Sequence, residues 1–170
     1  TAGTALKPHS TLWRELCPTM PDKPVPDQAT ITRLAGHAFP GGTYTVAHWE
    51  NFLLTECTGA ELLPGGMVHP VALFHIPILG AGTSIAEMFD LGQAESDLSI
   101  MIESYDWETF LPLLEDLCYR ASGGVTSAQR CQDADNNVYD RIQFRFELHT
   151  PENQLAARTT ITWHYTRNTL

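Results

Sequence analysis

The chain has 170 residues, of which 43% are hydrophobic, and this length and composition indicate one globular domain with a sizeable core. Its formal net charge is −10 and its ten basic residues are scattered, so the phosphate backbone of a nucleic acid would be repelled. Acidity of this size favours solubility but identifies no partner.

The four cysteines, Cys17, Cys57, Cys118 and Cys131, lie far apart and form no C-x-x-C pair. Structural zinc sites need closely spaced ligands, so we expect no metal site, and no motif indicates a cofactor. We find no secretory leader and no apolar run of about 18 residues, so no membrane span is expected. The pattern favours a cytoplasmic protein with free thiols; two disulfides in a secreted protein are the alternative.

Residues 1–35 are predicted to form a proline-rich N-terminal arm, since five prolines fall within the first 26 residues. Within the arm, Leu12, Trp13 and Leu16 are expected to form a short turn that docks on the body of the protein. The domain itself is predicted to span residues 36–170.

Residues 43–46 predict a short strand, because all four are β-branched or aromatic. A helix is predicted over residues 48–58 and ends at Gly59, which is well placed as a C-cap. Trp49, Phe52, Leu53 and Cys57 supply its apolar stripe, and Cys57 is expected to pack as a small hydrophobic residue.

A long buried helix is predicted to begin near His69, with a break around residues 77–82 and a continuation over residues 85–91. Gly65 and Gly66 allow a tight turn before it, and Pro70 suits a first helical turn. The residues that follow are apolar on nearly every side, which is typical of a helix in the core. His69 is expected either to move protons at this helix start or only to cap the turn.

Four extended segments follow. The sequence alternates over residues 98–103, extends over 117–131 with a bulge or bend at Gly123–Gly124, and turns at 133–137 and 151–153. The last two strands alternate cleanly. Their apolar faces are predicted to consist of Ile142, Phe144, Phe146 and Leu148 in one strand and Ala157, Thr159, Ile161, Trp163 and Tyr165 in the other.

Helices followed by strands with one polar face indicate an α+β fold, in which an antiparallel sheet wraps a long central helix. This is the hot-dog arrangement. His75 is expected to be satisfied in the core or at a subunit contact, and Trp49, Trp107 and Trp163 are expected to anchor the core or an interface.

Residues 36–165 resemble a MaoC-like hot-dog domain, as found in (R)-specific enoyl-CoA hydratases and 3-hydroxyacyl thioester dehydratases. The resemblance rests on Gly36-His37-Ala38-Phe39 before the first strand, the helix end F-L-L-T-E-C-T-G at residues 52–59, the small residues and histidine at 65–70, and the segments 110–112 and 115–117. It implies an acyl thioester substrate, carried on CoA or on a carrier protein, and a homodimer or hot-dog heterodimer.

The loop after the T-G pair departs from the family pattern. Hydratases of the family carry an aspartate and, five positions later, a histidine in this loop, whereas residues 60–64 contain neither. His69 and Glu61 are the nearest substitutes for this acid–base pair. The resemblance further implies that the backbone of Gly65, Gly66, Met67 and Val68 binds the thioester carbonyl.

The predicted function is therefore an acyl-thioester dehydratase or hydratase, with elimination, isomerisation or cyclisation of a polyketide or fatty-acyl group as variants. Two alternatives stay open. The chain is a non-catalytic hot-dog subunit that shapes the substrate tunnel of a partner, as the missing motif favours. Otherwise it is a hot-dog thioesterase that uses Glu56 or Glu61.

Overall fold

The computed structural model describes residues 24–167, so the turn predicted at residues 12–16 and Cys17 lie outside the described part. Its helices are α1 (Gln28–Thr32), α2 (His48–Glu56), α3 (Ile76–Gly80) and α4 (Ile85–Leu91), with 3-10 turns at Pro64–Gly66, Pro70–Phe74 and Asp97–Ser99. Its strands are β1 (Gly42–Thr45), β2 (Ile100–Thr109), β3 (Cys118–Gln132), β4 (Val138–His149) and β5 (Leu155–Thr166). None of the helices within residues 24–167 is long and apolar enough to cross a membrane.

The five strands form one antiparallel sheet in the order β1-β3-β4-β5-β2. β3, β4 and β5 are joined by the two predicted turns, and the inner faces predicted for β4 and β5 are confirmed. The residues of those faces are all buried: Ile142, Phe144, Phe146, Leu148, Ala157, Thr159, Ile161, Trp163 and Tyr165. A strict two-residue alternation made these faces readable, because one side of each strand packs on the core.

The central helix is broken, as predicted, but it is interrupted at two places: at His75, before the predicted break at residues 77–82, and at residues 81–84. A 3-10 turn over Pro70–Phe74 ends at His75, whose φ of −129° is not helical, and α3 begins at the next residue. Pro77 explains the break: it has no N–H for the carbonyl of Leu73, and its ring would clash with that carbonyl in a continuous helix. After α3 the chain turns at Gly82, which has a φ of +72°, before α4 begins.

The core lies between the sheet and these helices. Ile78 of α3 and Met88 of α4 pack with the inner faces of β4 and β5, and Ile31 of α1 joins the same cluster. Gly80 permits a close approach of α3 to β3, since a Cβ at this position would lie 2.7 Å from the Cβ of Ala121.

α2 places its apolar stripe in solvent. Trp49, Phe52 and Leu53 are exposed, as is Cys57 beyond the helix end, whereas Asn51 and Thr55 are buried. The predicted stripe exists, but the expectation that Cys57 is packed is wrong. The physical reason is a set of hydrogen bonds that Asn51 forms on the inner side of the helix.

The two outer parts of the sheet also differ from the predicted pattern. In β2 the register shifts between Ile102 and Ser104, so the alternation breaks at Glu103, and Leu98 lies in the preceding 3-10 turn, fully exposed. β2 is an edge strand whose inner face is only partly covered, which is why its apolar residues remain exposed. In β3 the bulge lies between Val125 and Ser127, just beyond the predicted glycine pair.

Candidate functional site

The chain approaches the helical block through a tight turn at Pro64–Gly66, where Gly65 and Gly66 have φ values of +70° and +69°. Left-handed values of this kind favour glycine, so the predicted role of the pair in a tight turn is confirmed. After the turn the backbone runs extended beside residues 113–115: Met67 forms an isolated β-bridge with Leu114, and the Gly66 carbonyl accepts from the N–H of Glu115 at 2.8 Å.

Some of the backbone N–H groups that the resemblance assigns to a thioester carbonyl already donate hydrogen bonds within the protein. Val68 N–H donates to the Leu113 carbonyl at 2.8 Å, and Met67 N–H donates to the Pro64 carbonyl at 3.5 Å. To bind a carbonyl, Val68 would have to give up this short bond and Met67 its longer one, so for both residues the role stays a prediction. Pro70, the first residue of the helical turn, has no N–H to offer. For Gly65 and Gly66 the role stays a prediction.

His69 caps the 3-10 turn, which is one of its two predicted roles. Its Nδ1 accepts the N–H of Val71 at 3.2 Å, and its own N–H donates to the side-chain oxygen of Asn51 at 2.9 Å. An Nδ1 that accepts a hydrogen bond carries no proton, so the neutral ring must hold its proton on Nε2. The half-buried imidazole is thus prepared to donate from Nε2 rather than to take a proton there.

Glu61, the predicted partner of His69, is exposed on the loop after α2. The described residues show no hydrogen bond or ion pair between the two side chains. The structure therefore does not bring this pair together, and a joint role in acid–base chemistry stays a prediction.

A polar network centred on Asn51 lies beside His69, where the helical block begins, and it was not predicted from the sequence. Asn51 Nδ2 donates to a carboxylate oxygen of Glu115 at 2.7 Å and to the Met67 carbonyl at 3.1 Å. The second oxygen of Glu115 lies 2.9 Å from Nδ1 of His48. The hydrogen bonds from Asn51 and then from His48 lower the pKa of Glu115 from its usual value.

A second carboxylate, that of Glu50, lies on α2 next to Asn51 in sequence. Glu50 accepts a hydrogen bond from the Tyr44 hydroxyl at 2.8 Å, and its oxygen lies 3.4 Å from Nε2 of His75. Burial, reinforced by the hydrogen bond to Glu50, raises the pKa of Tyr44 to about 12. His75 is half-buried and has this partner, so the expectation that it would be satisfied is confirmed. Spacing along the chain could not have indicated either network, since their members come from separate elements.

Apolar side chains also lie on β2 and on the helical block, where Phe74 contacts Tyr105: Ile102, Tyr105 and Trp107 of β2 with Phe74 and Leu79 of the helices. Phe74 stacks on the ring of Tyr105 with centroids 5.0 Å apart, and the Tyr105 hydroxyl donates to the Phe74 carbonyl. Burial raises the pKa of Tyr105 well above its usual value. The other four side chains are exposed, so this face of the sheet is open.

The tryptophans and cysteines considered in the sequence differ in burial. Trp163 is buried in the core, whereas Trp49 and Trp107 are exposed and could anchor only an interface. Cys57, Cys118 and Cys131 are free thiols, as predicted. Within residues 24–167 no group of three or more potential ligands is arranged to hold a metal ion.

No protein-family model matches the chain, and no curated protein matches it in sequence. Solved structures match its fold. The ChsH1-ChsH2 complex from Mycobacterium tuberculosis aligns with a TM-score of 0.63 at 10% identity over 84% of this chain and 93% of the other. A C-terminally truncated HadBC (3R-hydroxyacyl-ACP dehydratase) complex from the same organism aligns with a TM-score of 0.59 at 12% identity over 79% and 98%.

A MaoC-like dehydratase also aligns with a TM-score of 0.59, at 11% identity over 79% of this chain and 43% of the other. At these identities the comparison concerns the fold. The predicted hot-dog fold, and with it the resemblance of the chain to MaoC-like hot-dog structures, is confirmed at that level.

Proposed function

We propose that this hot-dog domain is an acyl-thioester-binding subunit of a dehydratase or hydratase assembly, in which it shapes the acyl tunnel and a partner supplies the acid–base pair. This is the non-catalytic alternative of the sequence analysis, placed within the predicted reaction class. The observation that carries it is that the amides of Val68, His69 and Val71 already donate within the fold, while the described residues show no contact between Glu61 and His69.

The chemistry of such an assembly needs two things at the thioester. A donor must stabilise the oxyanion of the enolate-like intermediate, and a base must remove or deliver a proton at carbon. Here the amides of Val68 and His69 already donate within the fold, and Nδ1 of His69 is used by Val71. The chain alone therefore lacks a prepared constellation for that reaction.

The acyl-binding part of the proposal is an apolar groove lined by the five apolar residues of β2 and the helical block. Phe74 contacts Tyr105, and the exposed side chains of the set are aliphatic or aromatic. Burying apolar surface of this kind contributes roughly 25 cal/mol per Å². A chain of several methylenes would fit this chemistry, and a charged or strongly polar group would not.

The β2 edge supports the assembly part. An edge strand leaves N–H and C=O groups unpaired, and pairing with another strand would satisfy them. Two of the similar solved structures are described as complexes, ChsH1-ChsH2 and HadBC. We propose that a second hot-dog subunit, identical or different, pairs at this edge and closes the groove into a tunnel.

A second candidate function is supported by the tautomer of His69. A neutral histidine with its proton on Nε2 can polarise a carbonyl, so His69 would bind the thioester oxygen and the chain would itself be a dehydratase or hydratase. For the thioesterase alternative no contact offers support: Glu56 and Glu61 are exposed, and neither side chain is positioned by a hydrogen bond in the described part of the protein.

The test uses thioesters of pantetheine, which lack the phosphates of CoA. We expect decanoyl-pantetheine to bind, to quench the fluorescence of Trp107, and to bind at least several-fold more weakly to Ile102→Ser. Met101→Ser is the matched control, since Met101 and Ile102 are 61% and 60% exposed but occupy opposite faces of β2. Equal binding by both variants would contradict the assignment of the groove.

Catalysis is measured separately with crotonyl-pantetheine. The subunit proposal expects no hydration above the uncatalysed rate from the chain alone, and no change in His69→Ala. Hydration by the chain alone that falls to background in His69→Ala would instead establish the second candidate.

A further inference from the structure

The outward side of α2 is an apolar surface that no described residue covers. Trp49, Phe52 and Leu53 are 66%, 44% and 54% exposed, and Glu56 completes the i, i+3, i+4, i+7 pattern of one helix face. We call these four residues the α2 face. Its apolar side chains together expose on the order of 300 Å², the size at which a surface patch on a monomer is often functional.

The helix cannot bury this face by rotating about its axis. Its opposite side is held by Asn51, which bonds to Met67, His69 and Glu115. The Asn51 side chain is almost fully buried. Rotation would leave Asn51 and its partners unsatisfied, so the exposure of the apolar side chains is a fixed property of the fold.

The charge of the sequence on both sides of α2 favours a cationic partner. Between Arg33 and Arg120 the sequence contains twelve aspartates and glutamates and no lysine or arginine. Glu56 lies on the α2 face and Glu61 is exposed on the loop that follows the helix. An anionic membrane or a nucleic acid would be repelled, whereas a cationic surface would be attracted.

We propose that the α2 face docks a cationic amphipathic helix of a partner protein. The apolar side of that helix would cover Trp49, Phe52 and Leu53, while its lysines or arginines would lie near Glu56 and Glu61. In such a contact between two helices, apolar side chains at i, i+3 and i+4 spacing pack against each other. The small area makes it a transient interaction. The site is separate from the β2 groove and does not depend on the acyl-binding proposal.

The probe is an 18-residue amphipathic peptide of leucine and lysine, with a leucine–glutamate peptide of the same pattern as its counterpart. Peptide binding to the full chain is followed by fluorescence anisotropy. We expect binding of the lysine peptide only, weakened about tenfold by Trp49→Ser, as for a typical aromatic anchor. Leu98→Ser is the matched control, because Leu98 is 95% exposed but lies outside α2, and it should leave the affinity unchanged.

The role of charge is tested with Glu56→Gln and with added salt, both of which should weaken binding of the lysine peptide. Equal affinity for the two peptides, or equal binding by Trp49→Ser and Leu98→Ser, would overturn the proposal.

Other occupants are tested by placing the photo-crosslinking residue p-benzoylphenylalanine at Leu53. A crosslink to the lysine peptide is expected. A crosslink of the peptide-free protein to its own residues 1–23, or to a second copy of the chain, would overturn the assignment to a partner protein.

Discussion

Asn51 is the residue on which the placement of α2 depends, and its replacement by leucine tests this directly. Leucine has the same branched shape and number of side-chain heavy atoms but offers no donor or acceptor. In Asn51→Leu the Met67 carbonyl and the His69 N–H would each lose a partner, and the carboxylate of Glu115 would lose its shortest hydrogen bond, of 2.7 Å.

The magnitude follows from these three bonds. Two bonds to neutral backbone groups contribute about 1 kcal/mol each, and the bond to a carboxylate contributes about 2 kcal/mol. The expected loss is therefore about 4 kcal/mol in the free energy of unfolding, a large share of the 5–15 kcal/mol that such domains possess. In a chain of this length the midpoint of thermal unfolding should fall by roughly 10 °C.

The measurement is urea denaturation of the wild-type protein and three variants. Asn51→Asp keeps the oxygen that accepts from His69 but places a second carboxylate against Glu115, whose pKa is lowered by its hydrogen bonds. Its destabilisation should therefore be large at pH 7 and diminish below about pH 5, where one carboxylate of the pair binds a proton.

The control is Leu53→Ser on the exposed side of the same helix, which should change stability by less than about 0.5 kcal/mol. A loss below about 1 kcal/mol for Asn51→Leu, or a pH-independent loss for Asn51→Asp, would refute the role assigned to this side chain.

Three further predictions concern the rest of the fold. Gly80→Ala should destabilise the protein by about 1–3 kcal/mol in thermal unfolding, since its new Cβ would lie 2.7 Å from that of Ala121, and Ala121→Gly should restore part of the loss. Asp140→Ala should cost about 3–5 kcal/mol in urea denaturation, because this buried carboxylate pairs with two arginines, one of them fully buried. The hydrogen bond from Arg141 lowers the pKa of Glu103 to about 2, so the stabilisation is present above pH 4.5 and lost between pH 4.5 and 2. Glu103→Gln should remove that part of the pH dependence in urea midpoints, and the effect should be small because the pair is exposed.

The strands could be predicted because their pattern depends on one environment. In β4 and β5 alternate residues contact the core, so alternation and burial coincide along most of both strands, although Ala156 and Thr162 of β5 are buried as well. The broken central helix was partly readable. Pro77 lay inside the predicted break, but the effect of its missing N–H begins one turn earlier, near His75.

The orientation of α2 could not be predicted, because a stripe identifies a helix face without saying which way it turns. Burial of the apolar side is the usual outcome, and here hydrogen bonds formed by Asn51 with residues distant in sequence reverse it. The same limit applies to the site. The sequence predicted His69 at the helix start, but which ring nitrogen carries the proton depends on the Val71 amide.

The side chain of Asn51 connects the start of the helical block with the α2 face. The oxygen of Asn51 takes up the His69 amide, which helps to close the helix start to a thioester carbonyl, and its nitrogen holds Glu115 and the Met67 carbonyl. These bonds also keep the polar side of α2 inward, which leaves Trp49, Phe52 and Leu53 in solvent. The occupied His69 amide and the exposed apolar surface on α2 therefore have a common physical cause. The proposed non-catalytic subunit and the proposed docking surface both depend on the hydrogen bonds of this one side chain.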